Sequence, residues 1–298
     1  MTSNEELATT GIKNCTTIYY EGLPAAKRNA GARIAKGKNL AFFDDDVTVD
    51  PLCLYHLQDS LSESVAMTYG RLWNMEHKNR FDEAGGYLTR TGFIWSRAGQ
   101  NEIDNGQYSI NEYVLAGKSA SCMIIADVFR KVDGFDEDFG ILGEETDLSW
   151  RVWLAGYYVL YAPQATGFHA FNTKFKPVEK FYTSKRVQYN GCRNYITMLF
   201  KNLEPHHLWQ ILPIHILIWF FAGLAMIITL KVKQGLNVWS GIWYVIRNYR
   251  GISRKRARVQ DKRVKSDSDI WPLIYRAHVP RGYYSNRFRR YITQLLHG

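Results

Sequence analysis

The feature that most constrains this chain is a short apolar run that ends in three consecutive carboxylates, Leu-Ala-Phe-Phe-Asp-Asp-Asp-Val at residues 40–47. Adjacent Asp side chains repel one another, so a fold that holds Asp44, Asp45 and Asp46 at the end of a buried strand normally needs a cation there. A solvated acidic turn is the alternative, because Asp suits a helix N-cap and Pro51 suits the first turn of a following helix. The stretch alone leaves both explanations open.

The residues before the acidic run predict a strand-helix-strand unit. Residues 16–20 are β-branched and aromatic, as in a strand, and residues 25–37 have a helical pattern with Gly37 beyond its end. Residues 40–43 would form the second strand. Such a unit implies a parallel sheet that binds ligands beyond the carboxyl ends of its strands. Because the Asp triplet would lie at such an end, the pattern favours a binding site.

The middle of the chain predicts further elements of an α/β fold. Residues 51–64 are expected to be helical and residues 65–69 extended, whereas residues 70–117 read as long loops or edge strands. Residues 119–126 return to strand character. The small side chains at the start of this strand, including Ser121, would let a bulky ligand approach the backbone.

A second acidic cluster, Glu144, Glu145 and Asp147, falls at the start of a predicted helix. The helix dipole stabilises carboxylates at this position, which is a sufficient structural explanation. Together with the first cluster, however, these residues would supply a metal site and a separate base. After a strand predicted at residues 157–163 comes His169; a single His is more often structural than a ligand, and its position after the acidic helix is the reason to consider it.

Charge and cysteine content limit the class of protein. From residue 231 onward there are 16 Lys and Arg against three Asp and Glu, a net charge of +13, whereas residues 1–230 carry a net charge of −3. The four cysteines are far apart and have no zinc-ligand or redox spacing, which predicts reduced thiols in the cytosol. The N-terminus has neither the basic start nor the apolar run of a secretory signal. Nothing in these features implies export.

The C-terminal third predicts contact with a membrane. Residues 208–230 contain no charged side chain and are long enough to span a bilayer, although a buried core helix is the alternative. Residues 236–246 are apolar but too short to cross. Residues 247–265 carry nine Lys and Arg against one Asp. A single crossing would place this basic run opposite the preceding domain, against the positive-inside tendency, so we expect a re-entrant hairpin or two interfacial helices.

An ordered set of motifs resembles the family-2 glycosyltransferases with the GT-A fold, and within them the bacterial and archaeal rhamnosyltransferase-like enzymes. The motifs are Ala26-Lys27-Arg28-Asn29-Ala30-Gly31, Phe43-Asp44-Asp45-Asp46, Gly134-Phe135-Asp136-Glu137, Glu144-Glu145-Thr146-Asp147-Leu148, Gly156-Tyr157 and His169. The resemblance covers roughly residues 14–200. It implies an α/β fold with a GT-A-like, Rossmann-type mixed sheet flanked by helices, followed by a C-terminal membrane-associated helical region. Residues 1–200 would be the catalytic domain, and residues 201–298 the membrane-associated helices and basic tail.

The resemblance also implies an activity. The protein would move one sugar from a nucleotide-diphosphate donor to a hydroxyl of a lipid-linked glycan acceptor, with inversion and with Mg²⁺ or Mn²⁺ as cofactor. The processive Gln-x-x-Arg-Trp signature is missing, which favours one transfer at a time. The other partner would be an anionic membrane surface, at the cytoplasmic face of the cell membrane, and not nucleic acid; the oligomeric state is left open.

The resemblance assigns residues to three roles. Asp44, Asp46 and His169 would hold the metal, with Asp46 as the expected direct ligand and Asp44 nearer the ribose. Glu144 or Glu145 would be the catalytic base, with the choice left open. The expected substrate-binding residues are Arg28, Asp44, Asp45, Ser121, Asp147 and Arg151.

One departure from the family pattern concerns the start of the chain. Family members usually begin with a strand, a helix and a strand that form the base-binding half of the nucleotide site, and this sequence starts where that half would be ending. A truncated reading frame and a fragment supplied by another polypeptide are both open explanations. An inactive or partner-completed membrane scaffold is therefore the alternative function. Nucleic-acid binding through residues 247–265 is disfavoured because no binding fold accompanies them.

Overall fold

A computed structural model of the protein describes residues 15–98, 102–170 and 185–276. The prediction that the N-terminus carries no secretory signal concerns residues 1–14, which lie outside this range. The helices are α1 Pro24–Ile34, α2 Cys53–Asp59, α3 Ala126–Lys131, α4 Glu144–Leu154, α5 Lys185–Asn202, α6 Pro205–Ile228, α7 Val232–Arg247, α8 Tyr249–Asp261 and α9 Asp267–Ile274. The strands are β1 Asn39–Phe43, β2 Val47–Val49, β3 Val65–Asn74, β4 Phe81–Glu83, β5 Gly86–Thr89, β6 Ile94–Ser96, β7 Glu112–Tyr113, β8 Ser121–Ile125, β9 Tyr158–His169 and β10 Tyr275–Arg276.

The main sheet has seven strands and is mixed, as expected for the α/β class. Its order is β1-β8-β3-β9-β2, with β4 added to β3 and β7 added to β9. Strands β3 and β9 run parallel, whereas β1 and β2 are antiparallel to their neighbours β8 and β9. The buried faces of α4 pack against this sheet through Trp150 and Trp153, which are almost completely buried. The acidic ends of β1 and α4 are therefore anchored to one core.

The strand predicted at residues 16–20 is wrong, whereas the edge strands expected within residues 70–117 are found. Residues 16–20 are exposed and pair with no strand among the described residues, so the expected strand-helix-strand unit does not form. Strand propensity measures how well a segment fits a pleated surface, and without a neighbouring strand it does not create one. Residues 70–117 contain four strands: β4 and β7 join the main sheet, and β5 and β6 form a second sheet with β10.

The loop before α4 has an unusual backbone that side chains of α5, chiefly Asn194, hold in place. Gly140, Leu142 and Gly143 have positive φ angles of 67°, 73° and 88°. Asn194 of α5 donates its Nδ2 hydrogens to the carbonyls of Phe139, Ile141 and Leu142 at 2.7–3.0 Å. Asn194 thereby pairs the carbonyls of Ile141 and Leu142, and it shares the Phe139 carbonyl with the Ile141 amide and Arg193. The start of α4 is thus positioned by α5.

The C-terminal helices α6 and α7 form a hairpin that packs on α5. Its two helices meet at glycines, since a Cβ on Gly235 would lie 2.5 Å from the carbonyl oxygen of Gly223. Within the described part of the chain, α6 is the one helix long and apolar enough to cross a membrane, and only 22% of its most apolar window is buried. This exposure differs from that of a buried core helix. The predicted apolar helix is confirmed at residues 205–228.

Candidate active site

The three aspartates form the turn between β1 and β2. The Val47 amide donates to the Asp44 carbonyl at 3.2 Å and closes the turn, while the Asp46 carbonyl accepts from the Ala170 amide at 2.9 Å. The second bond ties the turn to the end of β9. Asp45 is exposed, whereas Asp44 and Asp46 are half-buried. The turn therefore presents Asp44 and Asp46, and not Asp45, to the interior of the site.

His169 completes a group of three donor atoms. It is the last residue of β9, and its Nε2 lies 3.2 Å from Asp46 Oδ1. One ligand atom from each of Asp44, Asp46 and His169 falls within 4.8 Å of the others. Two carboxylates and one imidazole fit Mn²⁺ or Mg²⁺, ions that commonly keep further positions for water and substrate phosphate. The structure thus brings together the three residues that the sequence analysis assigned to a metal.

A buried pair behind His169 was not anticipated from the sequence. Asp82 of β4 places its Oδ2 2.7 Å from His169 Nδ1, and Lys118 places its Nζ 2.6 Å from Asp82 Oδ1. Asp82 and Lys118 lie in or next to the region predicted to be loops, and no local pattern marks either residue as functional. Only the pairing of β4 with β3 brings Asp82 to the end of β9.

Arg28 connects the two acidic clusters. From α1, it donates Nη2 to Asp44 Oδ1 at 2.6 Å and Nη1 to Glu144 Oε1 at 3.0 Å. Burial lowers the pKa of Arg28, but the charges of Asp44 and Glu144 outweigh this effect and hold the pKa above its ordinary value. Arg28 is therefore a permanent cation between the Asp turn and the start of α4.

Glu144 and Glu145 are neighbours in different environments. Glu144 is buried; its Oε1 accepts from Arg28, and its Oε2 has no hydrogen-bond partner among the described residues. Burial raises the pKa of Glu145, and the charge of Glu144 raises it further, to well above its ordinary value. The backbone of Glu145 is held by the Ser149 hydroxyl, which donates to its carbonyl at 2.8 Å. Two carboxylates in different environments can have different roles in one reaction.

Three predicted substrate-binding residues have protein partners instead. Asp147 has no exposed surface and binds Arg151 Nε at 2.9 Å and Lys201 Nζ at 3.0 Å. Arg151 also donates to the carbonyls of Val132 and Gly134. Ser121 is fully buried, with its Oγ 3.8 Å from Cys53 Sγ. Asp147, Arg151 and Ser121 are thus buried with internal partners, and their contact with substrate stays a prediction.

The mixed sheet, the Asp turn beside a His, and the acidic helix start define a class, the GT-A glycosyltransferases. Residues 40–248 match the family described as glycosyl transferase family group 2. This match extends over more than half of the chain, and the protein belongs to that family. It is therefore a family-2 glycosyltransferase with the GT-A fold.

Individual relatives are more distant. N-acetylgalactosaminyltransferase 4 of Drosophila melanogaster is 27% identical over 172 residues, which are 53% of this chain and 25% of that protein. A crystal structure of GalNAc-T7 with UDP, GalNAc and Mn²⁺ matches with a TM-score of 0.55 and 16% sequence identity, over 85% of this chain and 44% of that chain. The chain thus spans a quarter to under half of these two relatives, and the structural likeness shows the fold.

A second solved structure is less similar. The mannosyltransferase PcManGT from Pyrobaculum calidifontis, in complex with GDP-Man and Mn²⁺, matches with a TM-score of 0.37 and 12% identity, over 80% of this chain and 64% of that chain. This TM-score is too low to bear on function.

Proposed function

We propose that the protein transfers one sugar from a nucleotide-diphosphate donor to an acceptor hydroxyl, with inversion at the anomeric carbon and with Mn²⁺ or Mg²⁺. The observation that carries the proposal is the convergence of Asp44, Asp46 and His169 within 4.8 Å, joined through Arg28 to the glutamates of α4. A metal-ligand set and a separate carboxylate base are the two parts that such a transfer needs.

The ligand set supports a role in donor binding. A bound Mn²⁺ or Mg²⁺ would neutralise the negative charge that develops on the leaving diphosphate. Asp46 is the proposed direct ligand, together with His169. Asp44 shares its carboxylate with Arg28, which leaves its second oxygen for the metal or the ribose.

Glu145 is the proposed base. Glu144 is engaged by Arg28, whereas the raised pKa of Glu145 makes Glu145 a stronger proton acceptor than an ordinary Glu. As the acceptor oxygen bonds to the anomeric carbon, the bond from that carbon to the phosphate oxygen breaks. The hydroxyl proton passes to Glu145, and the bonding electron pair leaves with the diphosphate.

An activity assay with a panel of nucleotide sugars would identify the donor sugar. We propose a hexosyl donor, with rhamnose as the first candidate from the motif resemblance. Purified protein with Mn²⁺ is incubated with dTDP-rhamnose, UDP-glucose, UDP-GalNAc and GDP-mannose, and release of the nucleotide diphosphate is measured. We expect metal-dependent turnover of one donor, and its loss in Asp46→Ala. Failure to bind any of these nucleotides would contradict the proposal and favour the membrane scaffold.

We further propose that the acceptor is a lipid-linked saccharide and that the protein works on an anionic membrane surface, at the cytoplasmic face. Large apolar side chains such as Phe221, Trp243 and Ile246 are exposed on the α6–α7 hairpin. Arg250, Arg254 and Arg258 are exposed on the next helix, α8. Apolar insertion combined with neighbouring basic charge is typical of interfacial binding to anionic lipid.

A further inference from the structure

Asp82 is a buried carboxylate to which the transfer mechanism above gives no role. It contacts His169 on one ring nitrogen, with Oδ2 2.7 Å from Nδ1, while Asp46 lies 3.2 Å from the other ring nitrogen, Nε2. The Asp82 and His169 side chains are 3% and 9% exposed, so water has little access to the contact. His169 is therefore held between two carboxylates, only one of which belongs to the ligand set.

The chemistry of imidazole determines which ring nitrogen of His169 can bind a metal in this arrangement. The ring nitrogen that binds a metal must present a lone pair, and the remaining hydrogen of the neutral ring then lies on the other nitrogen. A carboxylate that accepts the Nδ1 hydrogen selects the tautomer whose Nε2 faces Asp46. Lys118 engages Asp82 Oδ1 at 2.6 Å and leaves Oδ2 to His169. The order from Lys118 to Asp82 to His169 thus points Nε2 toward the ligand set.

We propose that Asp82 is a positioning residue for the metal site, which fixes the tautomer and ring orientation of His169 without being a ligand itself. The proposal rests on the proposed function, because it requires His169 to bind the metal. Partners of this kind behind a metal-binding His typically change metal affinity by about 10- to 100-fold.

The same chain contains a matched control for Asp82. Asp267 is also fully buried and places its Oδ2 3.2 Å from His207 Nδ1, next to Arg263. This pair joins the starts of α6 and α9, where Asp267 also accepts from the Glu204 amide at 2.7 Å. Asp267→Asn therefore disturbs a buried Asp–His contact that is separate from the Asp turn.

The first experiment measures Mn²⁺ affinity of the full chain by electron paramagnetic resonance, without any nucleotide sugar. Glu204, His207 and Asp267 also bring ligand atoms within 4.8 Å of one another, so the Mn²⁺ binding that is compared is the part that His169→Ala abolishes. We expect Asp82→Asn to weaken this binding by about 10- to 100-fold and Asp267→Asn to leave it unchanged. In a His169→Ala background, Asp82→Asn should have no further effect, because its influence passes through the imidazole. An equal loss in both backgrounds would show general damage to the site and overturn the proposal.

The second experiment needs no Asp82 variant, so it holds even if Asp82→Asn does not fold. Wild-type protein with ¹⁵N-labelled histidine is loaded with Mg²⁺, and the His169 resonance, assigned by its disappearance in His169→Ala, reports which ring nitrogen is protonated. Protonated Nδ1 is expected, and protonated Nε2 would overturn the proposal. If wild-type protein bound no Mn²⁺, both the proposed metal site and the proposed function would be wrong. If wild type and folded Asp82→Asn bound Mn²⁺ with equal affinity, only the positioning role of Asp82 would be wrong.

Discussion

At the scale of single residues, the positive charge of Arg28 is surrounded by the carboxylates of the candidate site. Its two hydrogen bonds, to Asp44 and Glu144, neutralise one carboxylate from each acidic cluster. Arg28 does not hydrogen-bond directly to Asp46 or Glu145. The same cation can therefore leave one carboxylate for the metal and one for the acceptor proton.

The pH dependence of transfer tests the assignment of the base. Burial and then the charge of Glu144 raise the pKa of Glu145, so Glu145 is protonated, and inactive as a base, up to a higher pH than an ordinary Glu. Glu144→Gln removes the charge contribution and lowers this pKa. We therefore expect the acidic limb of the kcat/KM profile to move to lower pH in Glu144→Gln.

The companion variant Glu145→Gln separates the two glutamates. We expect a loss of about 100-fold or more in kcat, in line with the usual contribution of general-base catalysis. An unchanged acidic limb in Glu144→Gln, together with a mild loss in Glu145→Gln, would show that neither glutamate is the base.

At the scale of elements, the start of α4 depends on its contact with α5. Asn194 binds three carbonyls of a loop that contains three positive φ angles, and Leu142 at φ 73° is a residue type that rarely adopts this conformation. The loop ends directly before Glu144. Its geometry is thus imposed by a distant side chain, because the local sequence disfavours it.

Asn194→Ala tests this dependence. The variant removes the Asn194 donor from the carbonyls of Ile141 and Leu142, whereas the Phe139 carbonyl still accepts from the Ile141 amide and from Arg193. We therefore expect a loss of about 2 kcal/mol in the free energy of unfolding and a reduced kcat from a displaced Glu145. Denaturant titration and steady-state kinetics measure the two effects. Asn237→Ala, which removes a single bond to Gln188, is the control and should leave kcat unchanged. Unaltered kcat in Asn194→Ala would contradict a positioning role for the loop.

At the scale of the whole molecule, buried ion pairs connect the sheet domain to the C-terminal helices. Asp136 lies between Lys201 of α5 and Lys255 of α8. Burial raises the pKa of Asp136, but the two lysines together hold it well below its ordinary value of 3.8. Because the unfolded chain then binds the proton more tightly, the stabilisation is complete above the ordinary pKa and is lost as pH falls below it.

Asp136→Asn should therefore change both the stability and its pH dependence. At pH 7 we expect the free energy of unfolding to fall by about 3 kcal/mol, because Lys201 remains buried with one fewer partner. Below pH 4 the decline seen in wild type should be shallower in the variant. Denaturant titrations between pH 2.5 and 7 measure this, with the exposed Asp127→Asn as control. Parallel curves for wild type and Asp136→Asn would contradict the role of this carboxylate.

The proposed association with a membrane also depends on the whole molecule, because α7 packs on α5 and so holds the hairpin against the preceding part of the chain. We expect the protein to float with vesicles that contain phosphatidylglycerol, and less with pure phosphatidylcholine. Replacing Arg250, Arg254 and Arg258 by Ala should remove this lipid preference, at roughly 1 kcal/mol per Arg.

The apolar face of the hairpin has its own test. Trp243→Glu places a charge on an exposed apolar side chain of α7 and should weaken flotation with both lipids, because the charge opposes insertion. Ile110→Glu changes an equally exposed apolar residue outside the hairpin and should have no effect. Equal flotation of the Trp243 and Ile110 variants would argue against insertion of the hairpin.

Features that depend on local pattern could be predicted from the amino-acid sequence. Three elements were predicted correctly: the strand before Asp44, the helix that begins at Glu144 and the apolar helix around Phe221. They were predictable because hydrophobic periodicity and charge patterns extend over only a few residues. The order of these motifs also indicated the family. By contrast, the prediction of a strand at residues 16–20 was wrong, because a strand needs a neighbouring strand, and local pattern does not show whether one is present.

The contacts between distant side chains could not be predicted from local pattern and follow from the packing of the fold. Residues far apart in the chain meet in three places: β1 pairs with β8, β4 pairs with β3, and Arg28 contacts both acidic clusters. Asp82 acquires its place behind His169 in this way, and Asp147 is withdrawn into an internal ion pair with Lys201. The physical reason is that charge pairing and burial depend on distance in space, which the packing of the sheet and helices sets.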